Sequence, residues 1–172
     1  MADLDAVLGD NRKALDDLIG AAEGSGSTWN TPRAPGKWSP SQVVEHVALV
    51  LEESGKIVAG TPSKLGGLPS FLRPVIRVLF FNSMVKKGKF SNSRTSKAFE
   101  PESGPASPAD ARGRLDGAFA KFDKACRARA AIDQSLMHPI FGTISVVDYG
   151  RFQALHTRHH CKQIPGASPT VS

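Results

Sequence analysis

The chain has 172 residues, of which 40% are hydrophobic and 22% are charged. This composition is typical of an ordinary soluble globular protein, and the length allows one domain with its own core but not two. The formal charge is +6 and the computed pI is near 9.6. We therefore predict one helical domain at 1–165 and a short flexible C-terminal tail at 166–172.

Two amphipathic helices are predicted first. The first runs from about Leu4 to Glu23, where apolar residues recur at helical spacing, and a Gly- and Pro-rich loop follows it. The second begins at Ser39, which is an N-cap, because Pro40 suits the first turn and Gln42 completes a capping box. Val43, Val47, Val50, Leu51 and Ser54 mark its buried side. His46 lies on this side too.

A long basic crossover is predicted next. No acidic residue occurs between Glu53 and Glu100, whereas that stretch contains nine basic residues: Lys56, Lys64, Arg73, Arg77, Lys86, Lys87, Lys89, Arg94 and Lys97. We expect a solvated basic face, with an acidic small molecule, anionic lipid or nucleic acid as open alternatives. Specific nucleic-acid binding is disfavoured because aromatic residues do not alternate with the basic ones.

Within this crossover, a short helix is predicted at about 74–85, followed by an irregular connection at 86–105. The helix should turn five apolar residues inward: Val75, Ile76, Leu79, Phe80 and Met84. The apolar window 68–85 is interrupted by proline and arginine, so no membrane span is predicted, while interfacial membrane contact stays open.

Two further helices complete the prediction. Ser107 caps a helix that extends to about Ala131, and Ser145 starts the last one, which Pro165 stops. No convincing run of alternating strand residues occurs, so the expected fold is all-α. The two cysteines, Cys126 and Cys161, form no CxxC motif, and the acidic N-terminus has no apolar signal region. We therefore expect a reducing, cytoplasmic location without disulfides.

Three of the five histidines fall within the five residues 156–160. His156 and His160 are four apart on the last helix and so project from one face. If that helix packs antiparallel to the second, His46 meets them, and three imidazoles can share a divalent metal ion while leaving a coordination position open. We predict a three-histidine metal site at His46, His156 and His160, with zinc or nickel first, and iron or manganese as alternatives.

Several nearby residues stay open as contributors. His159 forms an alternative i, i+3 pair with His156, and His138 could line the mouth of the pocket. Gln163 and Asp148 could orient an imidazole through its second nitrogen. Cys161 should point away from the site, and Cys126 should be a small buried hydrophobe. The cluster is not a zincin, because no glutamate follows His156.

Three short motifs resemble the DinB/YfiT-like superfamily of four-helix metal-binding proteins. They are the segment Trp38–Gln42 leading to Glu45-His46, the turn 138–142, and the segment 156–160 with Gln163-Ile164. The turn, His-Pro-Ile-Phe-Gly, is most similar to that of an uncharacterised group within the superfamily. The resemblance implies an up-up-down-down four-helix bundle with a long crossover, metal ligation by His46, His156 and His160, and a homodimer.

The resemblance also bears on function, because characterised relatives include transferases that use low-molecular-weight thiols. We therefore expect a divalent-metal-dependent enzyme, either a thiol-dependent transferase or a hydrolase, acting on a small-molecule substrate such as a low-molecular-weight thiol. The alternative is a non-catalytic, stress-associated, dimeric metal-binding module. No catalytic residue beyond the metal ligands is identified from the sequence.

Overall fold

The computed structural model of the chain describes residues 2–90 and 96–165. This part is mostly helical, as predicted, but it also contains a small two-stranded sheet. The helices are α1 (Ala2–Gly24), α2 (Pro40–Ala59), α3 (Arg73–Ile76), α4 (Ser83–Lys87), α5 (Pro108–Ala130) and α6 (Val146–Cys161). The predicted tail 166–172, and 91–95 of the crossover, lie outside the described residues.

The predicted helix starts are confirmed by their hydrogen bonds. At α2, the backbone N–H of Gln42 donates to Ser39 Oγ while Gln42 Oε1 accepts from the Ser39 N–H. At α6, the Asp148 N–H donates to Ser145 Oγ at 2.9 Å. These bonds satisfy donors that the first helical turn leaves free, and so they fix where each helix begins.

Side-chain contacts give the relative directions of the four long helices. The contacts are Arg114–Glu45 and Arg129–Val58 between α5 and α2, Arg127–Asp5 and Arg112–Glu23 between α5 and α1, and Tyr149–Ser54 and His156–His46 between α6 and α2. Helix α5 is therefore parallel to α2 and antiparallel to α1, and α6 is antiparallel to α2.

These directions correct the expected up-up-down-down order, because α2 runs against α1. The reason lies in the loop between them, which folds back at once. The Ser41 N–H at the start of α2 donates to the Trp29 carbonyl, only five residues beyond the end of α1. Since α2 starts beside the end of α1, α2 runs back along α1 in the opposite direction. The long connection 60–107 then carries the chain back to the same end, so that α5 starts beside α2.

The crossover helix is present, but its predicted orientation is wrong. It continues from α3 through a π-helical segment, Arg77–Asn82, into α4. Met84 is buried as predicted and Ile76 is half-buried, whereas Val75, Leu79 and Phe80 are exposed, and the unpredicted Phe81 is buried. Apolar residues occupy every side of this segment, so helical periodicity could not select a face, and the wider π turn shifts the register further.

A β-hairpin that the sequence did not predict precedes α6. Strand β1 (Ser135–His138) pairs antiparallel with β2 (Gly142–Ser145), with His138 opposite Gly142. Leu136 and Ile144 face the core, while Met137 and Thr143 are exposed. The alternation covers only four residues on each strand, which is too short to stand out in the sequence. Gly142 has φ +71°, a conformation that favours glycine.

The main core lies between the long helices. Its largest fully buried side chains include Leu15 and Leu18 of α1, Leu51 of α2, Phe122 of α5 and Tyr149 of α6. Across the described ranges, none of the helices is both long enough and apolar enough to pass through a bilayer.

Candidate metal centre

Two helices bring three buried histidines together at one end of the helical core. His46 lies in the second turn of α2, and His156 and His160 lie in the last two turns of α6. The antiparallel packing of α2 and α6 places the start of one helix beside the end of the other. One ring nitrogen from each histidine then lies within 4.8 Å of the other two. The three predicted ligand residues are thus brought together, and they could hold one divalent metal ion.

Hydrogen bonds at the outer nitrogens orient two of these rings. His46 Nδ1 lies 2.8 Å from the Phe99 carbonyl oxygen, so Nδ1–H donates and Nε2 keeps its lone pair. His160 Nδ1 lies 3.1 Å from Gln163 Oε1, which fixes the same tautomer. Such outer partners are what metal-ligating histidines ordinarily have. Both rings therefore present the lone pair of Nε2, and that of His46 accepts from His156 Nε2 at 3.3 Å.

The spacing of the donor atoms fits a metal ion. His46 Nε2 and His156 Nε2 are 3.3 Å apart. Two nitrogens bound at about 2.0–2.1 Å to a tetrahedral zinc ion would lie about 3.3–3.4 Å from each other. Three neutral nitrogen donors also match the protein ligand number of a catalytic site, in which one position is left for water or substrate. The residues present therefore fit a divalent transition metal.

Burial keeps the three imidazoles neutral, which is the form that binds metal. It lowers the pKa of His46 to about 4, although the hydrogen bond to Phe99 acts in the opposite direction. It lowers the pKa of His160 to about 3, with a further contribution from charge on His46. Burial, followed by charge on His160 and His46, holds the pKa of His156 well below its ordinary value. At neutral pH, protons therefore compete little with a metal ion here.

Two aromatic rings pack against the histidine cluster. The ring of Trp38 lies 4.6 Å from that of His46 and 6.0 Å from that of His160, measured between centroids. Phe90 lies 5.2 Å from both His156 and His159. Low local polarity strengthens the interaction between a cation and its ligands.

The three histidines line a cavity of about 540 Å³, which is large enough for a small-molecule substrate. Tyr149, Phe152 and Phe141 form part of its apolar wall, and two cationic residues of the α1–α2 loop, Arg33 and Lys37, also line it. The site therefore combines a set of metal ligands with a cavity whose lining is part aromatic, part polar and part cationic.

His159 and His138 line the cavity but lie outside the three-histidine group. His159 is half-buried, and its Nε2 lies 3.3 Å from Gln163 Nε2, which donates to it and occupies its lone pair. His138 is buried, and its Nδ1 accepts the backbone N–H groups of Ile140 and Phe141. His138 thus holds the turn between β1 and β2.

The two predicted orienting residues differ in outcome. Gln163 contacts His160 as expected. Asp148 does not reach the site: it forms an exposed ion pair with Arg151 at 2.7 Å. The reason is distance, because Asp148 lies eight residues before His156, about 12 Å along the helix axis. Cys161 is not among the residues that line the cavity, and burial raises the pKa of its thiol. Cys126 is buried in the core as predicted.

Several residues of the site were not predicted from the sequence. Glu53 lies two helical turns after His46 and lines the same cavity, where its carboxylate accepts from Lys56 Nζ and the Lys64 N–H. Its helical spacing from His46 could have revealed it. The Phe99 carbonyl could not have been found, since a backbone acceptor leaves no residue signature.

Gln153 is a further missed residue. It lies one turn before His156 on α6, is 2% exposed and lines the cavity. Its Oε1 has no hydrogen-bond partner within the described part of the chain. An unsatisfied buried acceptor costs free energy, so a ligand that donates a hydrogen bond there would be favoured.

Comparison with known proteins decides the family. The sequence profile that matches residues 4–164 is that of the DinB superfamily. The chain belongs to the DinB superfamily. No curated protein and no solved structure matches it significantly. The family assignment agrees with the resemblance of the three motifs, and together with the buried three-histidine cluster it fits a metal-binding DinB-like protein.

Proposed function

We propose that this DinB-superfamily protein is a divalent-metal-dependent enzyme that acts on a small-molecule substrate, as a thiol-dependent transferase or a hydrolase. One observation carries the proposal: three buried, neutral imidazoles converge in the wall of a cavity of about 540 Å³. A metal site that served structure alone would ordinarily be closed by a fourth protein ligand. Among the described residues, the group of suitable donors has three members, His46, His156 and His160.

Each ligand histidine would have a defined task. His46 and His160 present Nε2 because the Phe99 carbonyl and Gln163 hold their Nδ1–H groups. His156 supplies the third nitrogen from one turn before His160. The donor set favours zinc or nickel, with iron and manganese as alternatives. When bound, a divalent ion supplies Lewis-acid chemistry, which lowers the pKa of a thiol or a water molecule toward neutrality.

The other cavity residues would position the substrate. Arg33 and Lys37 would attract an acidic cosubstrate, such as a thiol that carries a carboxylate. Gln153 Oε1 would accept a hydrogen bond from an N–H or O–H group of the bound substrate. Phe90 and Trp38 would exclude bulk water from the reacting atoms. The four long helices and their crossover would form the rigid bundle on which these groups are held.

The test is turnover that depends on both metal and ligands. Untagged protein is loaded with zinc or nickel, mixed with a low-molecular-weight thiol and a panel of electrophiles, and assayed for loss of free thiol. Hydrolysis is assayed on an ester and amide panel. We expect metal-dependent activity in the wild type and in His159→Ala, and loss of activity in His156→Ala. Metal retention without turnover on any panel would instead support a non-catalytic metal-binding module.

A further inference from the structure

The crossover carries an exposed apolar face that the metal site does not use. Six large apolar side chains within ten residues are between 40% and 75% exposed: Phe71, Leu72, Val75, Val78, Leu79 and Phe80. We call this set the crossover face. Single exposed apolar residues are normal, but a contiguous group usually marks an interaction surface. Phe81 of the same segment packs into the core, while the six side chains of the crossover face stay exposed and are free to contact a partner.

Positive charge adjoins the crossover face. Lys86, Lys87 and Lys89 follow it in sequence and are exposed. A shallow hollow is lined by Leu79 and Phe80 together with Lys87 and Lys89, so the apolar and cationic groups are neighbours in space. No acidic residue occurs anywhere in 54–99. The surface therefore offers apolar insertion and cationic attraction side by side.

We propose that the crossover face docks onto the surface of an anionic lipid bilayer. A helical segment with exposed Phe and Leu beside Lys residues matches the chemistry of interfacial binding, in which apolar side chains enter the headgroup boundary and lysines approach anionic lipids. Docking of this kind requires no membrane-crossing helix. It rests on the exposed crossover and is independent of the proposed metal chemistry.

Charge argues against two other occupants. A second copy of the chain would bring two acid-free basic segments together, and like charges would oppose the contact. Nucleic acid would be attracted by the lysines but would leave the apolar side chains without a partner, because its outer surface is charged phosphate. A bilayer with anionic headgroups is the partner that complements both parts of the surface.

The docking surface borders the metal cavity. Phe90 lines the hollow that contains Leu79 and Phe80, and it also lines the cavity that contains His156. A bilayer on the crossover face would therefore lie close to one wall of the candidate metal centre.

Vesicle sedimentation of the full chain tests the proposal. Vesicles of phosphatidylcholine with about 30 mol% phosphatidylglycerol are compared with pure phosphatidylcholine vesicles, at about 0.1 M and about 0.5 M salt. We expect binding to the anionic vesicles at low salt, weakened at high salt. Leu79→Ser combined with Phe80→Ser should lower the partition coefficient by about tenfold or more. Lys87→Gln should lower it about fivefold.

Matched controls distinguish binding by the crossover face from nonspecific hydrophobic adsorption and from nonspecific electrostatic attraction. Ile132→Ser removes a more exposed apolar side chain elsewhere, and Lys13→Gln removes an exposed lysine on α1; neither should change binding. The altered side chains are exposed, so circular dichroism should show unchanged folding. Absence of wild-type binding, equal loss in the controls, or binding that the Leu79/Phe80 variant leaves intact would overturn the proposal. So would a dimer, seen by light scattering, that this variant dissociates while vesicles are not bound.

Discussion

His46 Nε2 and His156 Nε2 face each other at 3.3 Å inside a buried site. Because the Phe99 carbonyl fixes His46 as the Nδ1–H tautomer, its Nε2 lone pair points at the second ring. A neutral His156 in its Nε2–H form donates to this lone pair. A divalent ion bound between the two nitrogens would replace this hydrogen bond once the His156 proton moves to Nδ1, and the low pKa of both histidines keeps them neutral for such an ion.

The first prediction concerns metal-dependent stability. Zinc at a hundredfold excess over its dissociation constant should stabilise the wild type by about 2.7 kcal/mol, because it binds the folded state alone. The gain should vanish in His46→Ala and in His160→Ala, and persist in His159→Ala. Thermal unfolding with and without zinc measures it. An equal gain in all three variants would place the metal elsewhere.

The second prediction concerns Gln163. Gln163→Leu removes the acceptor that holds His160 Nδ1–H, so metal affinity should fall by about tenfold to a hundredfold while the three ligands remain. Competition against a chromophoric chelator measures the dissociation constant. Gln134→Leu, at an exposed position before β1, serves as the control and should leave the affinity unchanged. No difference between the two variants would show that Gln163 does not support the site.

The starts of the long helices could be predicted from the sequence because nearby capping residues determine them. The capping residues Ser39 and Ser145 act within four residues of their own position, and the predicted helices begin there. The spacing of His156 and His160 was equally local. Grouping His46 with them required only that α2 and α6 pack antiparallel.

The features that could not be predicted depend mostly on contacts between residues that are far apart in the chain. The direction of α2 depends on a backbone hydrogen bond from Ser41 to Trp29, which no residue pattern encodes. The Phe99 carbonyl reaches His46 from 53 residues away in the chain. The exposed side of the crossover helix depended on a π-helical register shift within a segment that is apolar on all sides.

The third prediction concerns pH. An unfolded histidine titrates near 6.5, whereas folded His46 titrates at about 4 and His138 and His160 at about 3, chiefly because they are buried. Between these values the unfolded chain binds more protons, so stability rises with pH in this window and falls as pH is lowered. Metal-free protein should lose up to about 1 kcal/mol for each such histidine between pH 6.5 and 5.5.

Urea unfolding of the chelator-treated protein at several pH values measures this slope. His138→Asn offers a non-titrating comparison, because its Oδ1 can accept the same N–H groups as His138 Nδ1. The slope should be shallower in that variant. A stability that is constant or rises on acidification through this range would contradict the account.

The fourth prediction concerns a close backbone approach. A Cβ at Gly104 would clash with the backbone carbonyl of Ser41, in the first turn of α2. Gly104→Ala should therefore destabilise the protein and disturb the helix that carries His46. Gly113→Ala is the matched control, because a Cβ there meets nothing within 4 Å in a helix interior. It should raise the free energy of unfolding by about 0.5–1 kcal/mol. Urea unfolding measures the free energy of unfolding of both variants. A change of the same sign in both would contradict the close approach of Gly104 to Ser41.

The fifth prediction concerns Arg114, which joins α5 to the turn of α2 that carries His46. Its guanidinium donates to both oxygens of Glu45, at 2.8 and 2.9 Å, and to Glu52 at 3.1 Å. Arg114→Met should lower the free energy of unfolding by about 2 kcal/mol. Arg112→Met, whose ion pair with Glu23 is exposed and 3.4 Å long, should cost less than about 0.5 kcal/mol. Comparable losses in urea unfolding would count against the Arg114 network.

The most direct measurement is anomalous diffraction at the zinc edge from a crystal of the full chain grown with zinc. We predict one strong peak about 2.0–2.1 Å from the Nε2 atoms of His46, His156 and His160. A strong peak bound by other residues, with none between these three nitrogens, would contradict it.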